Sequence, residues 1–137
     1  MNLYFTKTTS GAAFLPRYVA ESIPFSSKNL VKVMNQFSVD TESAVADGMR
    51  QTLKLCESPD LDGEIKLCAT SLETMVDFST SMLGKKVQLM STEIDKEEIP
   101  KQHYTVSQGV TKMGGQTYAY AVFYCHGTHS QTRTKYL

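Results

Sequence analysis

The sequence predicts an α+β fold in which an N-terminal extended segment and about three helices pack on a C-terminal, mainly antiparallel sheet. Apolar residues recur at helical spacing up to Gly84, and after Gly84 they alternate with a period of two. Helices gathered before strands argue against alternating βαβ units. The chain has 137 residues, 41% of them apolar, so we expect a single domain over residues 1–137.

The first part of the chain is predicted to be extended and irregular, from residue 2 to residue 25. Pro16 and Pro24 interrupt it, because proline lacks the amide hydrogen that regular structure needs. The residues between them, 17–23, have room for one short helical turn.

Three amphipathic helices are predicted next. The candidate N-caps are Ser26 or Ser27, then Asp40 or Thr41, and finally the capping box formed by Thr70 and Glu73. The predicted apolar stripes are Leu30, Val31, Met34 and Phe37; Val45, Met49, Leu53 and Cys56; and Leu72, Met75, Val76, Ser79 and Leu83. Gly48 lies inside the second helix, at a cost of about 1 kcal/mol relative to alanine. Gly84 is suited to end the third helix in a left-handed conformation.

The second half of the chain is predicted to form strands. The candidate strands are residues 87–92, 104–110, 118–125 and 132–137, with a turn at Gly114 and Gly115. Residues 118–125 give the strongest strand signal, with Tyr118, Tyr120 and Tyr124 expected on one face. That face is either half-buried in the sheet or a platform for a ligand, and half-buried packing is the commoner role for such a stripe.

Composition and charge exclude several kinds of partner. The 14 basic and 14 acidic residues balance, and no basic stripe is present to neutralise phosphates, so neither nucleic acid nor an anionic membrane surface is an expected partner. No apolar run approaches the roughly 20 residues of a membrane span. Residues 1–9 lack the apolar core of a signal peptide, which by itself indicates the cytosol.

The three cysteines leave two interpretations open. Cys56 and Cys68 flank the turn formers of residues 57–64, and a bond between them would close a loop of about 13 residues and stabilise the fold by about 3 kcal/mol. Two unrelated buried thiols fit the same spacing. Cys125 is left unpaired in either case.

Histidines supply the candidate metal ligands. His126 and His129 are three residues apart at the end of a predicted strand, but two ligands do not make a closed metal site. His103 is expected to be a solvated loop residue. The sequence has no phosphate loop, nucleophile elbow or zinc-protease helix, so it predicts no catalytic residue and no cofactor.

Three segments together resemble the plant BURP domain. Residues 14–27, FLPRYVAESIPFSS, are similar to its N-terminal signature, and residues 68–78, CATSLETMVDF, are similar to its central helix. Residues 118–126, YAYAVFYCH, resemble the segment that ends in one of its Cys-His pairs. The seed-protein and dehydration-responsive branches are the most similar.

This resemblance implies a secreted or vacuolar plant protein of the cell wall, linked to stress or seed development. Cell-wall polysaccharide or other plant proteins are the implied partners. It also implies a Cys56–Cys68 disulfide. Some members of the family are copper-dependent cyclases that cross-link tyrosine or tryptophan side chains, with copper held through the histidines of four Cys-His pairs.

The sequence departs from the family pattern at three places, so we expect an incomplete BURP domain. It begins inside the domain, about eight residues with one Cys-His pair are missing after Gly115, and it stops before two further pairs. Only the pair Cys125 and His126 is left, which makes His126 the candidate metal residue. We therefore expect a non-catalytic structural or interaction protein without a cofactor, and the alternative is a copper-dependent peptide cyclase or its inactive relic.

Overall fold

The computed structural model describes residues 12–85 and 112–128. In chain order, the elements are α1 (Arg17–Ser22), a 3-10 turn (Ser27–Asn29), α2 (Leu30–Gln36), α3 (Ala44–Glu57), β1 (Glu64–Ala69), α4 (Leu72–Leu83), β2 (Lys112–Gln116) and β3 (Val122–Thr128). The predicted α+β class is confirmed, and so is the short helical turn between the two N-terminal prolines.

Two of the predicted helix caps are wrong by one to three residues. The cap of α3 is Ser43, whose hydroxyl accepts a hydrogen bond from the amide of Ala46. The cap of α4 is Ser71, which has an extended backbone and accepts from the amide of Thr74. Serine, threonine and aspartate cap helices about equally well, so neighbouring candidates cannot be separated without the backbone conformation. Gly84 ends α4 with a φ of +80°, as predicted.

The predicted apolar stripes are confirmed in part, since Leu30, Met34, Met49, Leu53 and Ser79 are buried. Val31, Val45, Leu72 and Val76 are exposed, whereas the buried positions include Val33, Ala46 and Phe78. Short helices contribute only one or two turns to a stripe, so several rotations fit the same apolar residues and tertiary packing selects among them.

Within residues 12–85 and 112–128, the sheet has three antiparallel strands in the order β1-β3-β2, so β3 is central among them. Strand β1 was not predicted. The predicted turn at Gly114 and Gly115 is also wrong, because these residues lie within β2 opposite Tyr124 and Phe123. The link from β2 to β3 is instead residues 117–121.

The two faces of the sheet contact different helices. Phe123 and Cys125 of β3 belong to a cluster with Phe78 of α4. Val122, on the opposite face, belongs to the main core with side chains of α2 and α3. Alternation along the strand therefore divides the apolar side chains into two layers.

The predicted stripe of three tyrosines is not formed. Tyr118 and Tyr120 precede β3 and are buried in the main core, where their rings pack against Phe25 and Phe37. Tyr124 alone lies on the strand. The predicted strands 87–92, 104–110 and 132–137, together with His103 and His129, lie outside the described residues. Among the described helices, none has both the length and the apolar character needed to cross a bilayer.

Candidate functional site

His126 lies on the central strand, where its backbone pairs with Lys66 of β1 on one side and with Lys112 of β2 on the other. Its Nδ1 atom is 2.7 Å from Oε1 of Glu64. Glu64 lies on β1 two residues before Lys66, and therefore on the same face of the sheet as His126. The two side chains are only 15% and 14% exposed. The imidazole is therefore held by a carboxylate in a largely buried position.

Two neighbours complete the surroundings of this pair. The ring of Tyr124 packs against the imidazole at a centroid distance of 5.5 Å. The ammonium group of Lys66 points to the end of α3, where it donates to the carbonyl of Leu55 at 3.0 Å and to the hydroxyl of Ser58. The ammonium group of Lys66 thus binds the end of α3 and not Glu64.

The cysteine next to His126 is on the other face of the sheet. Cys125 is fully buried against Ala69 and Phe78, and it forms no disulfide. Burial raises the pKa of its thiol to about 11, so the reactive thiolate is strongly disfavoured at neutral pH. Because consecutive strand residues point in opposite directions, Cys125 and His126 cannot bind the same ion.

The other two cysteines form a disulfide. Cys56, near the end of α3, is joined to Cys68 of β1, with a Cα–Cα distance of 5.7 Å. Spacing had left this pairing open, and the family resemblance had implied it. Cys68 lies directly opposite Tyr124 in the ladder, so the disulfide attaches α3 to the sheet beside the residue whose ring packs against His126.

The described residues do not fit a copper site by themselves. No three His, Cys, Asp or Glu side chains come together within residues 12–85 and 112–128. His126 contributes one imidazole, whereas tight binding of a transition metal requires several fixed ligands. The candidate metal residue is therefore paired with Glu64, and no third potential ligand joins them among these residues.

Sequence reasoning missed Glu64, because it treated residues 57–64 as an irregular connection. The alternation of apolar and polar side chains from Glu64 to Ala69 is a strand signal that could have placed Glu64 beside the sheet. The partner on β3 could not have been identified, since register depends on the whole sheet.

The sequence model of the BURP domain matches residues 1–136 of the chain. BURP domain-containing protein 3 of Oryza sativa subsp. japonica is 45% identical over 142 residues, which cover 95% of this chain and 33% of that protein. BURP domain-containing protein 6 of the same rice is 44% identical over 145 residues, covering 98% of this chain and 61% of that protein. BURP domain protein RD22 of Arabidopsis thaliana is 45% identical over 124 residues, covering 83% of this chain and 32% of that protein.

The chain therefore spans between about a third and three-fifths of the length of these relatives. No solved structure gives a significant match. Since the family model covers nearly every residue and the relatives share more than two-fifths of the aligned positions, the chain belongs to the plant BURP domain family.

Proposed function

We propose that this chain is a non-catalytic structural or interaction module of the plant cell wall or the seed storage compartment, with a role in stress or development. The observation that supports it is the separation of Cys125 and His126 by the sheet. Cys125 is a protonated thiol in the apolar core on one face of the sheet, and His126 is a single imidazole hydrogen-bonded to Glu64 on the other face.

The remaining support comes from the surface and the family. The net charge of zero favours neither phosphate polymers nor anionic lipid. The proposed partners, cell-wall polysaccharide or other plant proteins, are those that the family resemblance implies. A disulfide joins α3 to β1, and such bonds persist in oxidising compartments such as the secretory pathway. The proposal therefore includes secretion to the apoplast or delivery to the vacuole.

Copper retention tests the absence of catalysis. The purified chain is loaded with copper, dialysed against a weak chelator and analysed for bound metal. We expect no stoichiometric copper, and the same result for His126→Ala and for the matched histidine variant His103→Ala. One equivalent of copper that is retained by the parent and by His103→Ala but lost in His126→Ala would overturn the structural interpretation.

Localisation tests the compartment. Antibodies against the chain are applied to sections of developing seed and of dehydrated leaf, with plasmolysis to separate the wall from the cell surface. We expect label in the wall or in storage vacuoles. Label confined to the cytosol would contradict this part of the proposal.

A copper-dependent peptide cyclase, or its inactive relic, is the second candidate. The hydrogen bond between Glu64 and His126 favours it, because histidines that bind metals usually donate their other ring nitrogen to a carboxylate or carbonyl. Tyrosine would be the substrate side chain, since the chain has seven tyrosines and no tryptophan. Mass spectrometry after incubation with copper and oxygen separates the candidates, because each cross-link removes two hydrogen atoms.

A further inference from the structure

The hydrogen bond between Glu64 and His126 bears both on the position of the imidazole ring and on which ring nitrogen carries the proton. A neutral imidazole carries one proton, and the nitrogen that holds it decides whether the other nitrogen can accept a hydrogen bond or donate one. Glu64 Oε1 lies 2.7 Å from Nδ1, a distance typical of a strong hydrogen bond to an ionised acceptor.

The surroundings favour this hydrogen bond in three ways. The backbone of His126 is paired with a strand on each side, so the position of its Cα atom is fixed. The ring of Tyr124 lies against the imidazole and restricts its rotation. The ammonium group of Lys66 is bound at the end of α3, so it does not replace His126 as the partner of Glu64.

We propose that Glu64 is the positioning residue of His126, that it holds the neutral imidazole in the tautomer protonated at Nδ1, and that it thereby makes Nε2 an acceptor nitrogen. A carboxylate accepts a hydrogen bond but cannot donate one, so the proton belongs on the nitrogen that faces it. Among the side chains that the structure describes, none forms a hydrogen bond with Nε2. The ligand class that fits is a group with a hydroxyl or amide hydrogen to donate.

Nitrogen-15 NMR of the ring tests this proposal without requiring any bound ligand or activity. Spectra are recorded at about pH 9, where imidazole is neutral. His126→Gln assigns the signal among the three histidines. We expect His126 of the parent to show a protonated Nδ1 and an unprotonated Nε2, and we expect Glu64→Ala to lose this single tautomer, so that the two nitrogen signals shift toward each other.

Two further variants distinguish positioning from general structural support. Lys66→Met removes a neighbouring side chain on the same face but keeps Glu64, and it should retain the tautomer of the parent. Glu57→Gln removes a carboxylate elsewhere and should also leave the signal unchanged. A tautomer lost in Lys66→Met while Glu64 is intact would overturn the assignment to Glu64.

The parent protein alone provides a decisive measurement if Glu64→Ala does not fold. A proton on Nε2 in the parent would overturn the proposal, because Nδ1 could not then donate to the carboxylate. Equal tautomers in the parent and in a folded Glu64→Ala variant would overturn it as well.

Discussion

Gly48 of α3 lies directly against Thr117, the first residue of the link between β2 and β3. A Cβ atom on Gly48 would be 2.6 Å from Thr117 Cγ2, closer than carbon atoms can pack. One turn later, the hydroxyl of Thr52 donates to the carbonyl of Thr117 at 2.8 Å. The glycine therefore allows the helix to approach the link closely enough for this hydrogen bond.

We expect Gly48→Ala to destabilise the protein, although alanine is the better helix former. Alanine gains about 1 kcal/mol in helix propensity, whereas overpacking costs typically 1–3 kcal/mol. The net loss should be about 1 kcal/mol in the free energy of unfolding, measured by urea titration. Gln51→Ala, at an exposed position of the same helix, is the control and should be nearly neutral. A higher urea midpoint for Gly48→Ala would show that Thr117 moves aside without cost.

The disulfide should be present in protein made in an oxidising compartment, and it should contribute to stability. Peptide mapping without reduction is expected to give one cross-linked fragment with Cys56 and Cys68, and to leave Cys125 as a thiol that alkylates only after unfolding. A double variant, Cys56→Ser with Cys68→Ser, should lose about 3 kcal/mol in the free energy of unfolding, because the open loop has more conformations when unfolded. Recovery of Cys56 and Cys68 already alkylated before reduction would contradict this prediction.

Tyr120→Phe should not destabilise the protein. The hydroxyl of Tyr120 is buried and has no hydrogen-bond partner among the described residues, so its removal loses no bond and relieves an unsatisfied polar group. The expected change in the free energy of unfolding is between zero and a gain of about 1 kcal/mol. Thr52→Val is the matched comparison, because it removes a hydroxyl that does donate, and it should cost about 1 kcal/mol. A clear loss of stability in Tyr120→Phe would reveal a partner for the hydroxyl.

The same tyrosine should make the fold sensitive to alkali. Burial raises the pKa of Tyr120 to about 12, above the value of about 10 for an unfolded tyrosine. The contribution of the neutral phenol to stability is therefore complete below pH 10 and is lost as the pH rises toward 12. Thermal unfolding from pH 8 to 12 should show a smaller loss for Tyr120→Phe than for the parent. Parallel curves would mean that Tyr120 ionises equally in both states.

Glu57 should contribute to stability in a way that is lost in acid. Its carboxylate accepts hydrogen bonds from the hydroxyl and the amide of Ser27, each at 2.7 Å, and these bonds lower the pKa of Glu57. The contribution of this carboxylate to stability is present above the pKa of Glu57 in the unfolded chain. It disappears as the pH falls through the lower pKa of Glu57 in the folded protein. The melting temperature of Glu57→Gln should therefore depend less on pH between 5 and 3 than that of the parent, whereas Glu42→Gln should follow the parent. Identical profiles for Glu57→Gln and the parent would rule out this role.

The sequence was sufficient for the class of the fold and for the existence of the helices that lie within the described residues. Local signals carry these features, such as the glycine with positive φ at the end of α4. The buried faces were predictable only in part, because Val31 and Val33 are equally apolar and only the packing of α2 shows which is inside.

The candidate site was predictable only in part. His126 and the two disulfide cysteines were identified from sequence and resemblance, but Glu64 was not. Gly114 and Gly115 were assigned to a turn because glycine pairs usually mark one, whereas here they fill a strand that pairs with β3. Contacts between residues 62 positions apart, such as Glu64 with His126, depend on strand register, which no local pattern determines.

The position of β3 has a consequence for how the protein is made. Of the three strands that the structure describes, the central one, β3, comes last along the chain, so β1 leaves the ribosome long before β3 does. At about 5–20 residues per second, synthesis from Ala69 to Thr128 takes on the order of 3–12 s. During that time β1 lacks its pairing with β3, and an unpaired strand can pair with another chain. Correct folding of the new chain therefore depends on how well β1 is protected from other chains until β3 has been made.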